Sequence, residues 1–172
     1  MTGSETEDRP LRVRPTGWRS WLALLGFVGV CLMVGAIGGM MTAPAIDTWY
    51  RDLAKPSFNP PDAVFGPVWT ALYVIMGVAA WRIWRVAGFF AGRVALRLFG
   101  TQLMLNLLWT FLFFVLQSPA AAFFEILLLI AGIVGTIVAF RQHDKWAELA
   151  MVPYLMWVLF AAVLNGAIWY LN

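Results

Sequence analysis

Five stretches of almost unbroken apolar character, at about 21–41, 63–84, 94–116, 120–140 and 146–171, divide this chain, and only short polar segments separate them. Each is close to the roughly 20 residues that a helix needs to cross the hydrocarbon core of a bilayer. Backbone groups in hydrocarbon must be satisfied within the segment itself, so runs of this length span as helices. The pattern therefore predicts an all-α integral membrane protein, a bundle of five transmembrane helices occupying residues 18–172. The expected connections are a loop over 42–62, an Arg-bearing turn near 85–93, the tight Gln117-Ser118-Pro119 and the polar run Arg141–Lys145. None leaves room for a soluble domain. Residues 1–17, acidic and then basic with Pro10 and Pro15, read as a disordered tail.

Composition agrees: 62% of residues are hydrophobic and 12% charged, with a mean hydropathy of +0.77, far from the soluble globular mix. The net charge of +3 is spread over short loops rather than gathered in a patch, which argues against nucleic acid as a partner. Of the twelve Lys and Arg residues, only Arg51 and Lys55 fall on the side of the 42–62 loop; the others share a side with the N-terminus. By the positive-inside rule the N-terminus is inside, and an odd number of spans puts the C-terminus outside. Ala43-Pro44-Ala45 imitates a signal-peptidase site, but the first apolar run is longer than the roughly 7 to 15 residues of a signal peptide. It also holds Gly35-x-x-x-Gly39, a helix-packing motif. Cys31 is the single cysteine and His143 the single histidine, so neither an intramolecular disulfide nor a Cys-rich or His-rich metal site is expected. His143 reads as a solvated loop residue.

Most tryptophans, Trp18, Trp21, Trp49, Trp81, Trp84, Trp146 and Trp169, fall near span ends, where an amphipathic ring suits the headgroup zone. Trp69, Trp109 and Trp157 do not. Helical spacing aligns Trp69 with Tyr73 and Met76, Trp109 with Gln102, Asn106 and Phe113, and Trp157 with Tyr154, Ala161, Leu164 and Asn165. Trp69 and Trp109 then lie roughly 9 and 10 Å below the outer ends of their helices. Amides are costly in hydrocarbon, so Gln102, Asn106 and Asn165 turn these stripes inward. Two readings follow: interhelical hydrogen bonding with tight aromatic packing, or a ligand cavity, towards which the small Ala161 tilts the balance. Glu125, the one acid well inside a span, reads as an interhelical polar contact rather than a proton relay, because the other spans offer no titratable path. "KPSFNPP", Lys55 to Pro61, cannot extend a helix backwards. It reads as a stiff lid entering span two above Trp69, with Asp62 or a neighbour capping that helix and Pro67 close to its first turn.

The segments Trp49–Gly77, "GTQLMLNLLWTFLFF" from Gly100 to Phe114 and "VPYLMWVLFAAVLN" from Val152 to Asn165 resemble the translocator protein family (tryptophan-rich sensory proteins, TspO/MBR, peripheral-type benzodiazepine receptors). The resemblance implies a five-helix bundle with an upper cavity lined by spans one, two, three and five under the first loop. It implies porphyrins, notably protoporphyrin IX and by extension haem, and benzodiazepine-type compounds as ligands, with no cofactor required. The matched lining set is Tyr50, Pro60, Phe65, Trp69, Tyr73, Asn106, Trp109, Trp157, Ala161 and Leu164. The sterol motif of animal members is incomplete, since "VLNGAIWYLN" contains Tyr170 but ends without a basic residue, which argues against sterol binding through it.

A receptor or transporter-like protein in tetrapyrrole or stress regulation is the leading expectation. The alternatives are light-dependent porphyrin breakdown, with Trp69 and Trp157 as electron donors, and a scaffold recruiting partner membrane proteins. A homodimer surrounded by lipid is the expected assembly, through Gly35-x-x-x-Gly39 or through small residues such as Ala131 and Gly135. The short tail suits a bacterial cell-envelope membrane, with the mitochondrial outer membrane as the alternative.

Overall fold

Each expected span is a helix, and several run past the ends of their apolar stretches. In the computed structural model, which describes residues 17–172, α1 covers Trp18–Ala45 and continues through a π-helical turn at Ile46–Tyr50. It is followed by α2 (Asp62–Ala91), α3 (Arg93–Thr110, with a π-helical turn at Phe111–Val115), α4 (Pro119–Arg141) and α5 (Lys145–Leu171). Apart from Gly17, the tail expected over residues 1–17 lies outside the described residues.

Two connections differ from expectation. The loop expected at 42–62 is helical as far as Asp52, so irregular backbone is confined to 53–61. Pro44 lies inside α1, and the helix carries past it into the π-helical turn, since a proline forfeits only its own donor and crowds one carbonyl. Thr42 and Thr48 donate their hydroxyls to the carbonyls of Gly38 and Pro44, each at 2.8 Å, which keeps polar groups satisfied around the proline. The turn expected at 85–93 is instead helical on both sides of a break at Gly88. Its φ of 69° and ψ of −178° are open only to glycine. The "QSP" connection is tight as expected: Gln117 takes a φ of 50°, and Ser118 N–H returns to Leu112 O at 3.0 Å before Pro119 opens α4.

In the bundle, α1 packs on α2, α2 on α5, α5 on α4, α4 on α3 and α3 back on α1. Large apolar side chains such as Leu25, Met33, Leu128 and Val163 point outward, while Gln102, Asn106, Thr136 and Asn165 are buried. Outward grease and inward amides are the reverse of a soluble helix, and fit lipid outside. This is a multi-pass integral membrane protein.

The end of the bundle away from the 53–61 loop is fastened by Asp144. Its Oδ1 accepts from Trp146 N–H at 2.7 Å and from Ala147 N–H at 3.1 Å, capping α5. Arg82 of α2 donates to both carboxylate oxygens, at 3.1 and 2.8 Å. Burial alone would raise this carboxyl, but the Arg82 hydrogen bonds, the two backbone N–H groups and the guanidinium charge outweigh burial and hold it below the ordinary Asp value. Trp81 ties α2 to the start of α1 through its indole N–H, which donates to Ser20 O at 3.0 Å.

By the positive-inside rule the expected orientation has the 53–61 loop outside and the Asp144 end inside. In intact cells, a Ser57→Cys variant is expected to react with a membrane-impermeant maleimide, and a His143→Cys variant only after permeabilisation. The opposite pattern would invert the topology.

Candidate functional site

The half of the bundle nearer the 53–61 loop encloses a cavity of about 580 Å³. Its shape follows from which residue sizes face it. From α1 come Leu32, Gly35, Ala36, Gly38, Gly39, Thr42 and Ala43, so apart from Leu32 that wall is made of small residues. Opposite stand Phe65, Trp69 and Tyr73 of α2, Trp109 and Phe113 at the outer part of α3, and Trp157, Ala161 and Leu164 of α5. No residue of α4 lines it. A small-residue helix facing three aromatic-bearing helices leaves space that neither side fills.

The aromatic wall is braced by ring contacts. Trp69 lies against Tyr73 at 5.7 Å between centroids and edge-on to Tyr154 at 6.3 Å. Phe65 meets Trp157 edge-on at 5.8 Å, and Trp109 stacks on Phe113 at 5.5 Å. Such offset and T-shaped pairs are each worth about 0.5 to 1.5 kcal/mol beyond the area they bury. Two hydrogen bonds set ring orientation: Tyr73 Oη donates to Asn106 Oδ1, and Trp109 Nε1 donates to Asn165 Oδ1 at 3.1 Å. Asn165 is itself fixed by donating Nδ2 to Pro119 O at 2.7 Å, which links α5 to the start of α4.

Of the residues singled out from the sequence, Tyr50, Phe65, Trp69, Tyr73, Trp109, Trp157, Ala161 and Leu164 meet around this cavity, while Pro60 and Asn106 do not. Asn106 sits behind Tyr73 and is occupied in holding its hydroxyl, so it is a positioning residue rather than part of the wall. Pro60 belongs to a segment that touches the cavity only indirectly. Residues 51–61 supply no lining; the roof is Ile46, Tyr50 and the first turns of α2. The Pro-rich segment braces that roof instead. Asn59 Oδ1 accepts from Tyr50 Oη at 3.2 Å, Lys55 Nζ lies 4.5 Å from the Tyr50 ring centroid, and Phe58 packs edge-on against Phe160 of α5 at 6.4 Å. The backbone of Ala54 is held at both N–H and carbonyl by the side chain of Asn172, at 3.0 and 3.1 Å.

The resemblance puts span one in the lining but names no residue of it, and Asp62 is not among the expected lining residues. The signal for the α1 wall was available in Gly35, Gly38 and Gly39, whose spacing keeps all three near one face. A Cβ on Gly35 would lie 2.6 Å from the Tyr73 ring, so the motif serves internal packing against α2 and the cavity. Asp62 was expected to be a possible cap for α2; it makes no capping hydrogen bond, and Pro61 occupies the N-cap position. Pro67 is the sixth residue of α2, one residue deeper than the expected start at Ala63 puts it and close to the first turn.

The polar inventory narrows what the cavity can do. Thr42, Thr70 and Thr110 spend their hydroxyls on the carbonyls of Gly38, Gly66 and Asn106. The indole N–H of Trp157 is buried and without a partner among the described residues. Nucleophile and base are not paired in the wall, and the described residues contain no group of three or more His, Cys, Asp or Glu able to hold a metal ion. What remains is a binding surface: broad aromatic faces, a wall of mostly small residues and the indole N–H groups of Trp69 and Trp157, neither spent on a partner among the described residues. Glu125 lies outside the cavity. The interhelical contact expected of it is not made by hydrogen bonding, since both carboxylate oxygens are buried without a partner among the described residues.

The family model described as TspO/MBR matches residues 27–171. The chain is similar to a Tryptophan-rich protein TspO of Archaeoglobus fulgidus, with 42% identity covering 88% of this chain and 97% of that one. A second Tryptophan-rich protein TspO, from Chlorobaculum tepidum, is 44% identical over 88% of this chain and 96% of its own. The Translocator protein of Homo sapiens is 33% identical over 87% and 89% respectively.

The contact between Gly35 and Tyr73 gives a paired test. Gly35→Ala is expected to lower stability in detergent by about 1 to 3 kcal/mol, because the Tyr73 ring is held on its other sides. Gly39→Ala meets nothing within 4 Å and is expected to stay within about 0.5 kcal/mol of wild type. Equal thermal shifts in the two variants would contradict the packing described.

Proposed function

The chain belongs to the TspO/MBR family, and from that premise we propose that it is a membrane receptor, transporter-like in architecture, whose cavity takes a flat aromatic macrocycle of the porphyrin class. Protoporphyrin IX is the reference ligand, haem a related one, and benzodiazepine-type compounds are synthetic occupants of the same space. Tetrapyrrole or stress regulation is the setting. The observation that carries this reading is the meeting of Trp69, Trp109 and Trp157 with Tyr73 and Phe65 around a cavity faced by the glycines of α1. A planar ligand gains stacking area from such walls, and a flat backbone face lets its edge approach closely. The volume of about 580 Å³ lies in the range of small-molecule sites, roughly 300 to 1,000 Å³. The indole N–H of Trp157 is buried and without a partner among the described residues, a donor that a ligand's acceptor would satisfy once the ring yields.

The test is a titration in the dark with protoporphyrin IX, followed by tryptophan fluorescence, comparing wild type with Trp157→Phe and Ala161→Phe. Wild type is expected to show saturable quenching. Filling the space at Ala161 is expected to weaken it by about tenfold, in line with an overpacking cost of 1 to 3 kcal/mol. Trp157→Phe, which keeps a ring but removes the donor, is expected to fall between. Linear quenching, identical in all three proteins, would mean partitioning into the detergent and contradict the reading.

A further inference from the structure

The wall of the cavity is apolar, aromatic or hydroxylic except at Asn165, whose amide is spent on Trp109 and Pro119, and at Asp62. Asp62 is the one charged side chain among its lining residues, and no Lys, Arg or His faces it. Asp62 opens α2 at the mouth, where it is exposed. A carboxylate in the first turn of a helix is ordinarily explained by capping or by the helix dipole. Capping is not its role here: Val64 N–H donates to the Pro61 carbonyl at 2.9 Å, and no side chain caps the helix.

Nor does a cation neutralise Asp62. Among the described residues it forms no ion pair. The two basic residues at this end are engaged elsewhere. Arg51 pairs with Asp52 at 3.1 Å, and Lys55 donates to Arg51 O at 3.2 Å while lying over the Tyr50 ring. Neither lines the cavity. The mouth thus presents a carboxylate without an ion-pair partner beside Phe65, whose ring face attracts cations and repels anions, while the Tyr50 ring already carries Lys55. The apolar wall strengthens both effects, because it displaces water that would screen them.

We propose that Asp62 makes the cavity charge-selective, favouring an aromatic ligand that carries a protonated amine or quaternary ammonium group at the mouth over the same ligand with a carboxylate there. This rests on the reading of the cavity as a porphyrin-sized ligand site and adds to it the sign of the charge that the mouth accepts. A dicarboxylate macrocycle then has to turn both acids away from α2. Because Asp62 is exposed, the preference is modest, up to about fivefold for each change of charge.

The experiment uses one porphyrin core with three endings: the diacid protoporphyrin IX, its neutral dimethyl ester, and a bis-amide ending in quaternary ammonium groups. Each is titrated by tryptophan quenching, in zwitterionic detergent, against the full-length wild type, Asp62→Asn and Asp62→Lys. Wild type is expected to bind the cationic form most tightly and the diacid most weakly. Asp62→Asn is expected to narrow that ratio by at least about threefold and Asp62→Lys to invert the order. The affinity for the ester, unchanged across the three proteins, certifies that the variants are folded. Saturable ester binding with the same cation-to-diacid ratio in all three proteins overturns the charge selectivity and leaves the porphyrin site standing. If no form quenches saturably in wild type, the porphyrin site itself is refuted and this inference with it.

Discussion

Polar groups in hydrocarbon have few places to go, and this constraint organises the molecule from backbone to cavity. Backbone donors and acceptors are consumed within the helices, which is why α1 continues through Pro44 rather than stopping there. Side-chain amides obey the same rule by turning inward. Gln102, Asn106 and Asn165 are all buried, and two of them spend their oxygens on aromatic residues that reach the cavity. The wall is therefore oriented by groups that lipid would not tolerate outside. Stability and site geometry share one cause.

Space appears where that inward pressure meets a helix with little to offer. The glycine and alanine face of α1 stands opposite the ring-bearing faces of α2, α3 and α5, and the rings are too constrained by one another to collapse across the gap. α4 completes the bundle without touching the cavity, anchored to α5 by Asn165 and packed on α3 through Gly132 against Gln102. The Pro-rich segment adds rigidity from outside. It holds Tyr50, which forms part of the roof, rather than forming the roof itself.

The five helices were legible because apolar runs of spanning length leave little choice of structure. The inward stripes were legible because amides and buried rings recur at helical spacing. What escaped had physical reasons. The extension of α1 to Asp52 runs past Pro44 and through a π-helical turn, and no local pattern announces it. Small residues carry no chemistry of their own, so the α1 wall was read as a packing motif although Gly35 and Gly39 had been noticed. Resemblance alone puts Pro60 in the wall, and resemblance together with the inward stripe puts Asn106 there; one lies in a brace and the other behind Tyr73. Asp62 read as a cap because its position allowed it, and only the geometry reveals that the carboxylate is free.

The central claim is that the space between the glycine face of α1 and the aromatic faces of α2, α3 and α5 is where ligand sits. A structure of the full chain with protoporphyrin IX bound tests it most directly. The account predicts density for the macrocycle within van der Waals distance of Gly35 and Gly39 on one side and of Trp69 and Trp157 on the other, with α4 untouched. Ordered tetrapyrrole on the lipid-facing surface, with Tyr73 and Trp157 closed over an empty interior, would contradict it.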